Sequence, residues 1–399
     1  TSHSNGADGL HVDRGPLPNG DTETAYYDPR SVPGDPDSAP VTARFTGFTA
    51  YKNRNGGAWL RGENHVVSGA VFADNATGLT FASDASELRD SLLVGETANL
   101  GDPESWEETG PNGRSLPQPW AANTTISGFD FYDGQVGVRD SHFVAFSNNH
   151  LRGSAALSVL DYTDFSLDTD NYASGLTFHP TTKHVYLETR PVPSDPDSGE
   201  DGYRSAVFQD LDGSVTGVAG AAVTVNNSFL YDGSCAYRSD WNARVCEKEF
   251  SALLVDDRSD TNTALGPIVV IRDDGISHTV IGRPDDGHND HFRTSVLNGR
   301  SYTIDATGSW TPHFQVRTYE VADGEWLHVA VAGVGGTPAI YRDWWIDERN
   351  RLEPVGSLNA LLASDGGAYY KTGSTLHLKL VPQDGREWTA LDICSSAGC

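Results

Sequence analysis

Short apolar runs closed by Gly, Asn or Asp recur along the first half of the chain, and their spacing predicts how it folds. Gly47-Phe-Thr-Ala-Tyr-Lys-Asn53 is followed at an offset of 22 residues by Gly69-Ala-Val-Phe-Ala-Asp-Asn75, and Ser91-Leu-Leu-Val-Gly-Glu96 stands about one period further on. Gly128-Phe-Asp-Phe-Tyr-Asp133, His142-Phe-Val-Ala-Phe-Ser-Asn148 and Tyr162-Thr-Asp-Phe165 continue the series. Runs this short bury their apolar side only against neighbours of the same kind, which is the signature of stacked coils. The spacing predicts a right-handed parallel β-helix over residues 41–222, with Phe, Val and Leu turned inward and Asn, Asp and Gly at the corners. The same offset stacks Asn53 on Asn75 as an asparagine ladder. An ordinary β-sandwich, with strands at about 8–12-residue spacing, accommodates the same runs and stays open. Residues 101–119 interrupt the series and read as an insert between coils.

Residues 206–217, Ala-Val-Phe-Gln-Asp-Leu-Asp-Gly-Ser-Val-Thr-Gly, mark a change of pattern. Beyond them residues 222–225, 251–255, 267–271, 279–281, 314–319, 326–331 and 376–380 alternate or run apolar for strand lengths. Turn dipeptides at Asp274, Asn298, Asp323 and Gly335 separate several of them. Residues 223–399 therefore read as a β-sandwich-like unit, and residues 1–40, rich in Gly, Pro, Asp and Ser, as an extended linker. The fold class is all-β.

Charge narrows the partners. A formal charge of −27 excludes nucleic acid, whose binding needs a cationic face to displace counterions. The apolar runs fall far short of the about 20 residues that span a bilayer. The chain contains no Met and begins at Thr1, as expected of a processed or trimmed piece. Two close Cys pairs, Cys235 with Cys246 and Cys394 with Cys399, have spacings that also allow metal binding but read as disulfides, and hence as an oxidising compartment, secreted or at the extracellular surface. Sequons at Asn75, Asn123 and Asn226 suit a glycoprotein.

Several motifs go beyond patterning. Tyr51-Lys-Asn-Arg54, Ala73-Asp-Asn75 with Gly78-Leu-Thr-Phe-Ala-Ser83, Val94-Gly-Glu-Thr-Ala-Asn-Leu-Gly101, Gly113-Arg-Ser-Leu-Pro117, Tyr132-Asp-Gly134, Val207-Phe-Gln-Asp-Leu-Asp-Gly-Ser-Val215, Asp240-Trp241 between Cys235 and Cys246, Gly324-Glu-Trp326 and Cys394-Ser-Ser-Ala-Gly-Cys399 run in order along the chain. Together they resemble the C-terminal half of the hyaluronan-depolymerase family, that of cell-migration-inducing hyaluronan-binding protein and transmembrane protein 2, with fibrocystin more distant. The resemblance implies a secreted or surface protein with parallel β-helix repeats that acts on or binds hyaluronan, with calcium dependence. The family's upstream G8 domain and first GG domain have no counterpart here, so residues proposed as catalytic in that region are not carried over.

Residues 44–61 form the best candidate glycan surface. They hold Arg44, Lys52, Arg54 and Arg61, no acid, and the aromatics Phe45, Phe48, Tyr51 and Trp59. A polyanionic sugar requires local positive charge and flat rings, and repulsion by the rest of the chain is screened beyond about 8 Å. Tyr51, Lys52, Arg54, Trp59 and Arg61 are therefore the expected substrate-binding residues. A hydrolase needs two carboxylates, supplied by Asp74, Glu96 and Asp133 if their coils align; a lyase would use Lys52, Arg54 or Arg61 as base beside a cation held by Asp74. Asp210 and Asp212 offer hard oxygens for calcium, although the loop lacks the Gly and bidentate Glu of an EF-hand. No motif for an organic cofactor occurs. The function read from the chain is binding, and depolymerisation by a hydrolase or lyase, of an anionic polysaccharide such as hyaluronan. A non-catalytic structural or adhesion subunit that self-assembles is the alternative. Convergence of Asp74, Glu96 and Arg61 on one cleft discriminates the two.

Overall fold

The computed structural model describes residues 1–97, 125–148, 153–160, 167–189, 205–259, 265–285, 289–322, 324–343 and 346–394. Nearly all regular structure is strand, as the patterning predicts, and the α-helix among the described residues is the single turn Leu358–Leu362 capped by Ser357. The first half is built from three mainly parallel sheets, which successive strands visit in rotation. Thr49–Tyr51, Gly56–Glu63 and His65–Ser68 fall in three different sheets, and Val71–Ala73, Thr77–Asp84 and Ser86–Arg89 pair with them one rung later.

Apolar side chains align through this stack because the register is kept. Phe72, Leu93, Phe143 and Phe178 are consecutive partners in one sheet, and Val67, Leu88, Val138 and Ala173 in another. All but Phe178 are at most 1% exposed. Full burial of each Phe or Leu contributes about 1.5–3 kcal/mol, whereas one rung alone would leave its inner face wet.

The corners explain the polar punctuation. Gly47, Gly69, Asp90, Asp140 and Gly175 end successive rungs of one sheet with φ between +47° and +65°, and Lys52 and Asp74 both stand at +56° in another corner. Gly, Asn and Asp tolerate this left-handed region better than other residues do, which is why they recur there. Beside Lys52 and Asp74 runs the asparagine ladder: Asn5 Nδ2 donates to Asn53 Oδ1 at 2.8 Å, Asn53 Nδ2 to Asn75 Oδ1 at 2.9 Å, and Asn75 Nδ2 to the Ala50 carbonyl at 3.1 Å. Asn75, 4% exposed and engaged in this way, is closed to glycosylation, whereas Asn226 is exposed and Asn123 lies outside the described residues.

Within its nine-stranded sheet Ala206–Asp210 is the last strand to pair in parallel, with Tyr172–Ser174; its other neighbour, Ala221–Val225, is antiparallel. Ala243–Cys246 and Cys235–Arg238 extend the same sheet to nine strands. Further on, a six-stranded sheet centred on Phe250–Asp257, His313–Tyr319 and Thr389–Cys394 shares its core with a seven-stranded one centred on Ser301–Ala306, Leu327–Val331 and Thr375–Leu380. Pairing in both is antiparallel except for Ser301–Ala306 with Leu327–Val331 and Glu353–Pro354 with Ala368–Thr372. These strands coincide within a few residues with those expected from the alternation.

Candidate functional site

Strand Thr77–Asp84 separates the residues that the sequence nominates. Its eight residues span about 23 Å at a 3.3 Å rise, and different candidates lie at its two ends. At the near end Tyr51 stacks on His3 with ring centroids 4.7 Å apart, the Lys52 amide donates to Ala73, and the Arg54 amide donates to Asn5. Asp74 lies here too, with one oxygen taken by the Thr97 amide at 2.6 Å and the other by the Thr97 hydroxyl at 2.8 Å. Half-buried Glu96 follows Leu92–Val94 at the same corner.

Trp59 lies opposite Thr80 in mid-strand, and Arg61 and Asp133 lie toward the far end, opposite Ala82 and Ser83. Trp59 packs on Tyr132 at 5.7 Å in a small apolar cluster with Ala82 and is only 5% exposed. Arg61 donates to Asp13 at 2.7 Å, and its guanidinium lies 5.6 Å from the Tyr26 ring centre and 5.8 Å from that of Trp59. Tyr26, 62% exposed, is the ring of this group that a ligand reaches from solvent. Asp74 and Glu96 thus lie apart from Arg61, whereas the charge of Arg61 reaches Asp133.

Around Asp133 lies a set of acids that spacing along the chain does not announce. The Asp168 amide donates to the Asp133 carbonyl at 3.0 Å, and Asp170 N to Asp168 Oδ1 at 2.8 Å. Thr169 N and Oγ1 donate to Glu320 Oε2 at 2.9 and 2.7 Å, and Arg293 reaches Glu320 Oε1 at 2.8 Å. Asn171 pins the corner by accepting from Val136 N at 2.7 Å and donating to the Asp133 carbonyl at 3.1 Å. Asp84, at the end of the adjacent strand, accepts from Gln135 N at 3.0 Å.

Three carboxylates are held protonated more readily here than in water. Burial pushes Asp133 up to about 6, against the pull of Arg293 and Arg61 and with the help of Asp84. Burial, then the charges of Glu320, Glu387 and Glu249, push Asp170 up to about 7. Asp168 moves the same way, through burial first and Glu320 second. An acid poised near neutrality and acted on by two arginines, as Asp133 is, is equipped for proton transfer to a leaving oxygen.

The Asp210 loop is self-contained. Asp210 Oδ2 accepts from Val215 N, Thr216 N and the Thr216 hydroxyl at 3.1, 2.6 and 2.7 Å, and Oδ1 from Gly213 N at 3.1 Å. Asp212 accepts from Gly175 N at 2.7 Å and Ser214 N at 3.0 Å. With these oxygens engaged as a turn cap, the pair does not fit a calcium ion. Among the described residues no three His, Cys, Asp or Glu converge as a metal site. Cys235 and Cys246 face each other on paired strands and form a disulfide; Cys394 ends its strand buried, and Cys399 lies outside the described residues. No described helix is long and apolar enough to cross a membrane.

No protein-family model matches the chain. It is 28% identical to the cell surface hyaluronidase CEMIP2 of Homo sapiens over 444 aligned residues, covering 100% of this chain and 31% of that protein. The cell migration-inducing and hyaluronan-binding protein of Mus musculus is 27% identical over 409 residues, 94% of this chain and 29% of its own length. The cell surface hyaluronidase of Danio rerio is 27% identical over 431 residues, 100% of this chain and 30% of that protein. The chain spans about three tenths of the length of the curated relatives it matches. Over most of its length the chain is thus a homologue, at 27–28% identity, of proteins named cell surface hyaluronidase and cell migration-inducing and hyaluronan-binding protein, in line with the resemblance its motifs carry.

Proposed function

We propose that the chain binds an anionic polysaccharide of the hyaluronan class outside the cell and cleaves its glycosidic bonds at the Asp133 corner. The observation that carries this reading is the meeting of Asp133, Asp168 and Asp170, all pushed toward neutral pKa values, with Arg61 and Arg293. Names of relatives that specify hyaluronan supply the substrate class. In this scheme the arginines draw the sugar carboxylate in, Tyr26 offers a ring face, and Asp133 delivers a proton to the leaving oxygen. The exposed Asp84 acts on the sugar or on water from the other side. The rotation of strands through three sheets is read as a right-handed parallel β-helix over residues 41–222 that aligns this corner. A sandwich-like unit over residues 223–399 contributes Glu320 and Arg293, and residues 1–40 lie along the first rung. No step is routed through calcium.

Incubation with hyaluronan, chondroitin sulfate and alginate, followed by sizing of the products, tests the reading. Chain shortening is expected for the wild type and a loss of at least about 100-fold for Asp133→Asn. Binding with no shortening of any polymer replaces this reading with that of a non-catalytic adhesion subunit.

A further inference from the structure

Three strand spacings beyond Ile126–Phe131, about 14 Å along the stack, the surface changes sign. The strand Ser154–Val159 is followed by a bridge from Leu157 to Val185, and Leu187 N then donates to the Trp241 carbonyl at 2.9 Å, so residues 183–187 and 241 continue the same rungs. On this surface each cation lies over a ring. Lys183 Nζ is 4.4 Å from the centre of Tyr186, Arg238 Cζ is 5.3 Å from Trp241, and Arg244 Cζ lies 3.7 Å from Tyr231 and 4.9 Å from Tyr237.

Their polar contacts leave the charges unneutralised. Arg244 Nε donates to the Asn226 side chain at 2.9 Å and Arg238 to the Thr216 carbonyl at 3.2 Å, both neutral acceptors. Among the described residues, the acids whose field reaches the patch are Asp240, near Lys183, and Glu188, near Tyr186. Three cations against two carboxylates, counted among the described residues, is an inversion in a chain with 28 basic and 55 acidic residues. Tyr237 is 44% exposed, so a ring face and the charges beside it are open to solvent. Rings with attached cations fit a sugar that carries carboxylate or sulfate, because the ring covers the apolar face of the sugar while the cation meets its charge.

We propose that Lys183, Tyr186, Tyr237, Arg238 and Arg244 form a second subsite for the same acidic polysaccharide, one that holds the chain several sugars from the Asp133 corner. This rests on the reading of the ligand as an acidic polysaccharide. A subsite at that distance makes affinity depend on oligosaccharide length, since only a chain long enough to reach both places gains both sets of contacts.

Equilibrium binding of hyaluronan polymer and of short hyaluronan oligosaccharides to wild type, Arg238→Gln/Arg244→Gln, Lys183→Gln and Asp133→Asn tests it, with poly-glutamate as a polyanion lacking sugars. Polymer affinity is expected to fall about tenfold in the double variant and about threefold in Lys183→Gln, by the loss of two and one charge contacts. Asp133→Asn, expected to lose cleavage, keeps the polymer at full length during the measurement. Melting curves confirm that the double variant is folded, and Lys183→Gln carries the test should it not be. Polymer binding unchanged in both patch variants overturns the subsite while leaving the parent reading intact. Poly-glutamate bound as tightly as hyaluronan overturns it in favour of an acidic protein partner. Wild-type binding without cleavage, weakened in the patch variants, removes the depolymerase reading and keeps the subsite.

Discussion

A β-carbon placed on Gly134 would stand 2.1 Å from Asp168 Cβ and 2.6 Å from Asn171 Oδ1, at a φ of +149° that L-residues rarely adopt. Gly134→Ala is therefore expected to cost about 2–4 kcal/mol in urea unfolding and to disturb the acid cluster directly. Gly217→Ala, at φ +86° with nothing within 4 Å, is the control and should cost about 1 kcal/mol. Asp133-Gly134 was legible as a corner because a turn dipeptide ends an aromatic run. Asp168, Asp170 and Glu320 were not, since a hydrogen bond spanning 151 residues, from Thr169 to Glu320, brings them together and no local spacing encodes it. Trp59 was legible as an aromatic beside cations, but its burial depends on Tyr132, which arrives from two rungs on, at pairing offsets of 21 and then 50 residues.

Strand positions were the most transparent level. The offset from Asn53 to Asn75 reappears as a hydrogen bond between their side chains, and the corner residues reappear with positive φ, because both follow from a repeat that the chain itself carries. What the alternation does not expose is the pairing of histidines on Leu327–Val331 and Thr375–Leu380. His328 Nε2 lies 3.3 Å from His377 Nδ1, and the rings stack with centroids 5.5 Å apart. Burial, reinforced by His377, lowers His328 to about 4. Its neutral form is the one that folds, so the stabilisation it carries is present above pH 6.5 and is lost as pH falls through about 4. His328→Gln should flatten the acid limb of a stability-against-pH curve by up to about 3 kcal/mol; an unchanged limb would place the acid sensitivity elsewhere.

At the scale of the molecule, the acid cluster works in the opposite direction. Burial raises the folded-state pKa values of Asp133 and Asp170, so the folded protein retains protons that the unfolded chain releases. Their stabilisation is complete below about pH 4 and is lost as pH rises through about 6 and about 7. Chemical denaturation is expected to show a decline from pH 5 to pH 8, and Asp170→Asn should recover about 2 kcal/mol at pH 8 with little effect at pH 4. A decline of equal size in the variant would remove the cluster as its source.

The pairing offsets also govern how such a chain changes length. Gly56–Glu63 and Thr77–Asp84 pair 21 residues apart, Thr77–Asp84 and Ile126–Phe131 pair 50 apart, and the next pair 28 apart, yet the inward side chains stay aligned throughout. Sequence added at a corner leaves the register untouched, whereas a single residue gained or lost inside a strand turns every later side chain to the wrong face. Evolution is thus free to lengthen the corners by any amount but can shorten the stack only by a complete turn, and an engineer inserting a peptide meets the same rule.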